Sequence, residues 1–234
     1  LTVSSTREFN VQDRYRTAGW LMLAQVALIA IPFLTMSGAT GWPATTGDPG
    51  SKMLPLVLEN LTSIRIGYGG YLAYSLLFFF TGCAALRAIR EEPDWIGLGA
   101  VGISTLARCL GILRWLTAAP SLAYAYSNAE DSQRAQIAAI FDAINSYGGG
   151  VGEALGVSIF AAIWVYRIGT AARRNPIVPV FLTRMTFLLA AFMLIPVIEL
   201  FGFDLGPVLM LTGTLFHFWL IAFGILMVRR GKSS

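Results

Sequence analysis

Six apolar stretches, each about as long as a bilayer's hydrocarbon core is thick, constrain this chain more than any other feature. They run from Ala18 to Met36, about Ile64 to Ala88, Trp95 to Leu116, about Tyr147 to Ile168, Phe181 to Leu200 and Pro207 to Val228. A helix needs about 20 such residues to cross roughly 30 Å of hydrocarbon. Lipid offers no partner to a free N–H or C=O, so each stretch must satisfy its own backbone. The period-two alternation of a β-barrel is missing. The predicted fold is all-α, a polytopic transmembrane bundle of six spans forming one domain over residues 1–234. Charge agrees: 13% of the residues are charged and 56% are hydrophobic. A soluble domain carries about 25% charge. So little charge excludes an ordinary soluble enzyme, a disordered tail and a nucleic-acid binder.

The connections differ in character. Residues 37–60 are rich in Gly and Pro and read as turns, with a short surface helix after Ser51. Glu91-Glu92-Pro93-Asp94 is a tight connector whose Pro-Asp starts the next helix. Ile137, Ile140, Phe141 and Ile144 recur at offsets of three, four and seven, which marks an amphipathic helix over about 131–146 leading into the fourth span. The polar opening to Arg16 does not read as a signal peptide. Cys83 and Cys109 lie inside apolar runs and read as small buried hydrophobes.

Sorting the basic residues orients the bundle. With alternating helices, one side collects Arg7, Arg14, Arg16, Arg87, Arg90, Arg167, Arg173, Arg174, Arg184, Arg229, Arg230 and Lys232, twelve of the 17. The opposite side holds Lys52 and Arg134, with Asp48, Glu59, Glu130, Asp131, Asp142 and Asp204. Positive residues stay inside, so both termini are expected to be cytoplasmic.

Three arginines remain in or beside the apolar runs: Arg65, Arg108 and Arg114. Glu153, Glu199 and His217 join them. An intramembrane charge costs at least about 2.5–3.5 kcal/mol. At about 1.5 Å per residue, Arg108 and Glu153 both lie roughly 20 Å from the cytoplasmic end. They are expected to pair. All six residues fall between mid-membrane and the outer surface, and the surplus of guanidinium donors suits a carboxylate, phosphate or lipid headgroup. Three readings stay open: a ligand pocket, a buried structural network that locks the bundle, or a proton or ion path. Arg108 and Arg114 stand about 120° apart around their helix, which tempers the pocket.

The fourth span repeats Gly148, Gly152 and Gly156 at intervals of four, a small-residue face for close helix packing beside Glu153. Tyr68, Tyr71 and Tyr74 interleave with Gly67, Gly69 and Gly70, as an interfacial belt, packing or a cavity wall. His217, the only histidine, suits a helix–helix hydrogen bond, a proton relay or a single pigment ligand. One histidine excludes a bis-histidine haem and a multi-histidine zinc site. With Lys52 and Lys232 both outside the spans, a retinal Schiff base is excluded too. No hydrolase elbow, phosphate loop or HExxH element is present, so neither cofactor nor metal is expected.

With these features placed, the chain resembles a family of bacterial six-span membrane proteins of unknown function (DUF4386). The resemblance covers most of the chain. It rests on Arg16-Thr17-Ala18-Gly19 opening the first span, Arg65-Ile66-Gly67 opening the second, and the glycine-rich fourth span with Glu153. The family pattern places a histidine just ahead of that glutamate, where this chain has Asn145 and Ser146. The resemblance implies a bacterial inner-membrane location and no established activity. The expected function is non-catalytic: a sensor or accessory subunit with an Arg/Glu pocket for an anionic or lipid ligand. A small transporter for an anionic or amphipathic solute is the alternative, although no broken helix or inverted repeat is evident. A lipid-modifying intramembrane enzyme comes third. Expected partners are membrane lipids and a larger membrane complex or a second copy, and no nucleic acid.

Overall fold

The computed structural model describes residues 2–203 and 205–231, without the side chains of residues 2–10, 206, 207 and 209. Asp204, Lys232 and the Arg7 side chain, all used in sorting the charges, lie outside that description. Among the described residues every element is helical. In order these are α1 Thr2–Leu28, α2 Ala30–Thr40, α3 Gly50–Glu59, α4 Leu61–Ile89, α5 Trp95–Leu116, α6 Ala118–Ser127 and α7 Asp131–Gly149. A π-helical stretch, Gly150–Phe160, continues into α8 Ala161–Ala172. Then come α9 Val180–Phe192, a 3-10 helix Ile195–Phe201 and α10 Gly206–Arg230.

Among the described residues, six helical runs are long and apolar enough to cross a membrane: Val11–Thr40, Leu61–Ile89, Trp95–Ser127, Asp131–Ala172, Val180–Phe201 and Met210–Arg230. α1 begins and α10 ends at the same end of the bundle, where Gly231 packs on Gln12 and Arg16. That end is called the terminal end below. The runs of 33 and 42 residues overshoot a bilayer. Their surplus, α6 and the start of α7, packs with α3 as a three-helix cap at the other end. The amphipathic helix expected over 131–146 is thus α7, continuous with the fourth span. The helix α6 is an addition to the sequence reading, which ended the third span at Leu116.

Three of the spans are broken, against the expectation of continuous helices. Each break has the same cause. Proline has no N–H for the carbonyl four residues earlier, and its ring clashes with that carbonyl. Pro32 removes the bond to Leu28, where α1 ends. Pro120 removes the bond to Leu116, where α5 ends. Pro196 removes the bond to Phe192, where α9 ends and the chain tightens into a 3-10 turn. The fourth span departs from α geometry in the other direction, widening into i→i+5 bonds over Gly150–Phe160.

Helices in lipid associate through close packing, since lipid tails are as apolar as leucine. The tightest seam joins α5 to the fourth span. A methyl group on Gly111 would lie 2.8 Å from the Gly152 Cα and 2.9 Å from the Gly148 carbonyl, both immovable backbone. Gly156 lies against the Arg108 backbone, and the Ser104 hydroxyl donates to the Gly156 carbonyl at 2.6 Å. The predicted glycine face, Gly148, Gly152 and Gly156, therefore seats α5. Two apolar cores flank this seam. The terminal-end core gathers Phe78, Trp164, Phe216, Trp219 and Phe223, and the cap-end core gathers Trp42, Tyr68, Trp115 and Phe141.

At the terminal end, Asp94 caps α5 by accepting from the Gly97 N–H at 3.1 Å. Its carboxylate, buried itself, also accepts from Arg90 and from Arg167 Nε at 2.8 Å, tying the connector to the fourth span. Burial alone would raise this carboxyl, but Arg167, the Gly97 N–H and Arg90 together hold it below the usual carboxylate range. A depressed folded-state value stabilises the fold above the ordinary aspartate range and loses that contribution as pH falls through the folded value.

Two outcomes follow for the protein in detergent. Gly111→Ala should destabilise by about 1–3 kcal/mol through overpacking, whereas Gly99→Ala, with open space around it, should be neutral or slightly stabilising; thermal unfolding compares them. Asp94→Asn should cost about 2 kcal/mol near neutral pH, less than a fully buried pair because Arg90 and Arg167 keep 24% and 25% of their surface. The gap to wild type should narrow once pH falls below about 4, the ordinary aspartate value, and close only below the depressed folded-state value, where the native carboxylate takes up its proton.

Candidate functional site

Between the two apolar cores lies a cavity of about 60 Å³. A water needs roughly 10–15 Å³ on the same kind of measure, so the space holds several waters or one small ligand group. Its polar lining is Tyr71 and Tyr74 from α4, Arg108 from α5, Ser158 from the π-helical stretch, and Thr212 and His217 from α10. Ile29, Val157, Met193, Gly213 and Phe216 complete the wall. Ile29 and Met193 are where α1 and α9 break. The cavity is therefore bordered by two proline breaks and the π-helical stretch.

Arg108 is 4% exposed. Gly156 leaves room for its stem, and its guanidinium carbon lies 4.3 Å from the Phe78 ring centroid. Such a cation–π contact contributes about 2 kcal/mol when desolvated. That is well short of the cost of burying an unpaired charge. Nε and Nη2 are buried and have no hydrogen-bond partner among the described residues. Their N–H groups point in parallel along one edge of the planar guanidinium, the edge that grips a carboxylate or phosphate through two bonds.

Across the cavity, His217 Nδ1 lies 2.6 Å from the Gly213 carbonyl. A carbonyl only accepts, so Nδ1 carries the hydrogen. Nε2 is left with a lone pair, to which the Tyr74 hydroxyl donates at 3.1 Å. The backbone of Tyr74 is pinned in turn: Gln25 Nε2 donates to its carbonyl at 2.8 Å, and Thr81 donates to Gln25 Oε1 at 3.0 Å. Gln25 is fully buried, an intramembrane amide that holds α1 against α4.

Arg108 and Glu153 do not pair. Among the described residues neither Arg108 nor Arg114 has a carboxylate within 4.0 Å. The reason is direction rather than depth. The glycine face meets α5, so Glu153, one position off that face, points aside. The backbone under Arg108 is that of Gly156, most of a turn away. Glu153 instead sits in the fields of Arg114 and Glu199, in a second group nearer the cap. There Arg114 donates through Nε to Asn145 Oδ1 at 3.0 Å and through Nη1 to the Gly111 carbonyl at 2.6 Å. Asn145 passes the link on to the Thr46 carbonyl at 2.7 Å, which ties the 41–49 loop to α7. Glu199 Oε1 accepts from the Leu205 N–H at 3.0 Å and closes the turn before α10. Arg65 is exposed near the start of α4, apart from both groups.

The six residues singled out from the sequence thus divide into Arg108 with His217 at the cavity, Arg114 with Glu153 and Glu199 toward the cap, and Arg65 outside. Gln25, Tyr74 and Ser158 belong with the cavity and were not among them. Pro32 and Pro196 were the available signal for its walls. Comparison with family models, with curated proteins and with solved structures gives no match to this chain.

Proposed function

We propose that this chain is a non-catalytic integral membrane protein, a sensor or accessory subunit, that receives a small oxyanionic group at Arg108. The group is a carboxylate or a phosphate, whether free or carried by a lipid. One observation carries the reading: Arg108, a buried guanidinium that lines the cavity, has two donors, Nε and Nη2, with no hydrogen-bond partner among the described residues. Unpaired buried donors on a charge cost several kcal/mol. A bundle that needed only packing would be more stable with Met or Leu at this position. An oxyanion supplies both missing acceptors and cancels the charge. The skew of basic residues toward the terminal end favours cytoplasmic termini. The DUF4386 resemblance favours a bacterial inner membrane. The cavity then lies in the outer half of the bilayer.

A second reading, transport of the same class of anion, is favoured by the proline breaks at Ile29 and Met193. Discontinuous helices at a mid-membrane site are the elements that rearrange in many transporters.

Purified protein should gain thermal stability on adding acetate or inorganic phosphate, and Arg108→Gln should abolish the gain. The variant alone should unfold no lower than empty wild type, because it sheds an unpaired charge. A lipid source predicts the same gain in nanodiscs of phosphatidylglycerol but not of phosphatidylcholine. Wild type indifferent to all of these, with a variant that melts early, would make Arg108 a structural residue. Transport adds uptake of labelled acetate or phosphate into proteoliposomes, lost in Arg108→Gln; sealed vesicles that bind but do not accumulate either anion would refute it.

A further inference from the structure

We propose that the cavity takes up its anion together with a proton, which lodges on Nε2 of His217. This rests on the anion reading above and specifies how the anion is held.

The geometry of the three facing groups leads there. In the structure His217 takes one neutral form: Nδ1–H donates to the Gly213 carbonyl, and Nε2 accepts from the Tyr74 hydroxyl. The groups facing the imidazole are few. α4 presents Tyr71 and Tyr74, α5 presents Arg108, the π-helical stretch presents Ser158, and the two breaks present Ile29 and Met193. Among the described residues lining the cavity, Arg108 is the only charged one, with His217 neutral. Glu153 lies a turn beyond Val157, in the second group. The described lining thus sets one positive charge beside the imidazole and no negative one. A second positive charge there is repelled.

An oxyanion on the Arg108 edge reverses both conditions. It neutralises the guanidinium and places negative oxygens within a space of about 60 Å³ that His217 shares. The step is simple to balance. A proton from water forms an N–H bond at Nε2, and no covalent bond in the protein breaks. The hydrogen bond between Tyr74 and His217 changes direction, from O–H donating to nitrogen to N–H donating to oxygen. The Tyr74 hydroxyl hydrogen is then free to turn from His217 into the cavity, where it becomes a third donor to the anion after Nε–H and Nη2–H of Arg108. Proton and anion each favour the other, and thermodynamic linkage makes that coupling reciprocal. Charge alone would give a general attraction. The relay through Tyr74 adds a directed hydrogen bond that exists only in the protonated state.

Because His217 is the only histidine, its ring signals in a ¹⁵N-histidine-labelled sample need no assignment. The test follows those signals in purified protein across about pH 5.5 to 8.5, the range in which histidine changes charge, with and without methanesulfonate, an anion that does not itself titrate there. Acetate serves as the carboxylate probe. The expected result is proton uptake by the imidazole when either probe is added at fixed pH, and none in Arg108→Gln. Probe affinity should rise as pH falls, by up to tenfold per pH unit for one coupled proton. His217→Gln, or His217→Asn if the first does not fold, should lose that pH dependence whatever its absolute affinity. Probe binding with an unchanged ring signal and a flat pH profile would overturn the coupling and leave the anion site standing. No probe binding at any pH would overturn both.

Discussion

Hydrocarbon does not tolerate an unpaired backbone group, so any helix that departs from α geometry in a membrane must do so where protein or a polar cavity receives it. Among its described residues this chain departs in four places, at Pro32, Pro120, Pro196 and over Gly150–Phe160. The break at Pro120 lies where α5 leaves the bundle for the cap. The other three converge on one cavity. Ile29, Met193, Val157 and Ser158 come from these irregular turns and line the same space. The cavity is thus where the bundle places its least regular backbone, and its position follows from prolines encoded far apart in the chain.

The glycine seam determines what enters that space. Close approach of Gly111 to Gly152, and of Gly156 to Arg108, brings α5 and the fourth span nearly into backbone contact. Side chains cannot lie between the two helices and are turned to either flank. Arg108 goes toward α4 and α10, over Phe78. Arg114 and Glu153 go toward the cap, where Asn145 and Glu199 meet them. One packing decision therefore separates two groups of charge that a depth scale alone would merge. In the cap-end group Arg114 and Glu199 are held by hydrogen bonds, and Asn145 ties the 41–49 loop to α7, as in a structural network. The Arg108 group is left with open donors, as a binding site would be.

The six spans were legible because hydropathy is an average over twenty residues and tolerates local irregularity. The amphipathic stretch became α7, and the end of α5 at Leu116 could be read directly. Proline was legible in principle: each break falls four residues before one, at Leu28, Leu116 and Phe192. The apolar average hides this, which is how α6 and the broken spans escaped notice. The depth of Arg108 could be counted, but its direction could not. Direction depends on which face of α5 the glycines occupy and on the added rotation of the π-helical turns. Tyr74 and His217 are 143 positions apart, and no local pattern joins them. Arg65 shows the limit in the other direction, since a basic residue at the start of a span looks the same in sequence whether it points inward or out.

The energetics of Arg108 bear on why such a site would persist. A buried guanidinium over an aromatic ring, without its bidentate partner, stabilises nothing that a methionine would not stabilise better. Strain of this kind collects where a ligand relieves it. Two dry aromatic cores enclose the site and keep the local dielectric low, which strengthens any ion pair formed there and equally penalises a lone charge. An anion arriving from water gives up hydration, and Arg108 has already given up its own. The desolvation of the receptor was met during folding and offset by the packing of the two cores. Only the ligand's share remains at the moment of binding, and a fixed two-donor edge loses little entropy in meeting it. A lysine at the same position would offer a mobile point charge rather than a planar fork. The arrangement is thus best matched to a planar or tetrahedral oxyanion, and poorly matched to a halide.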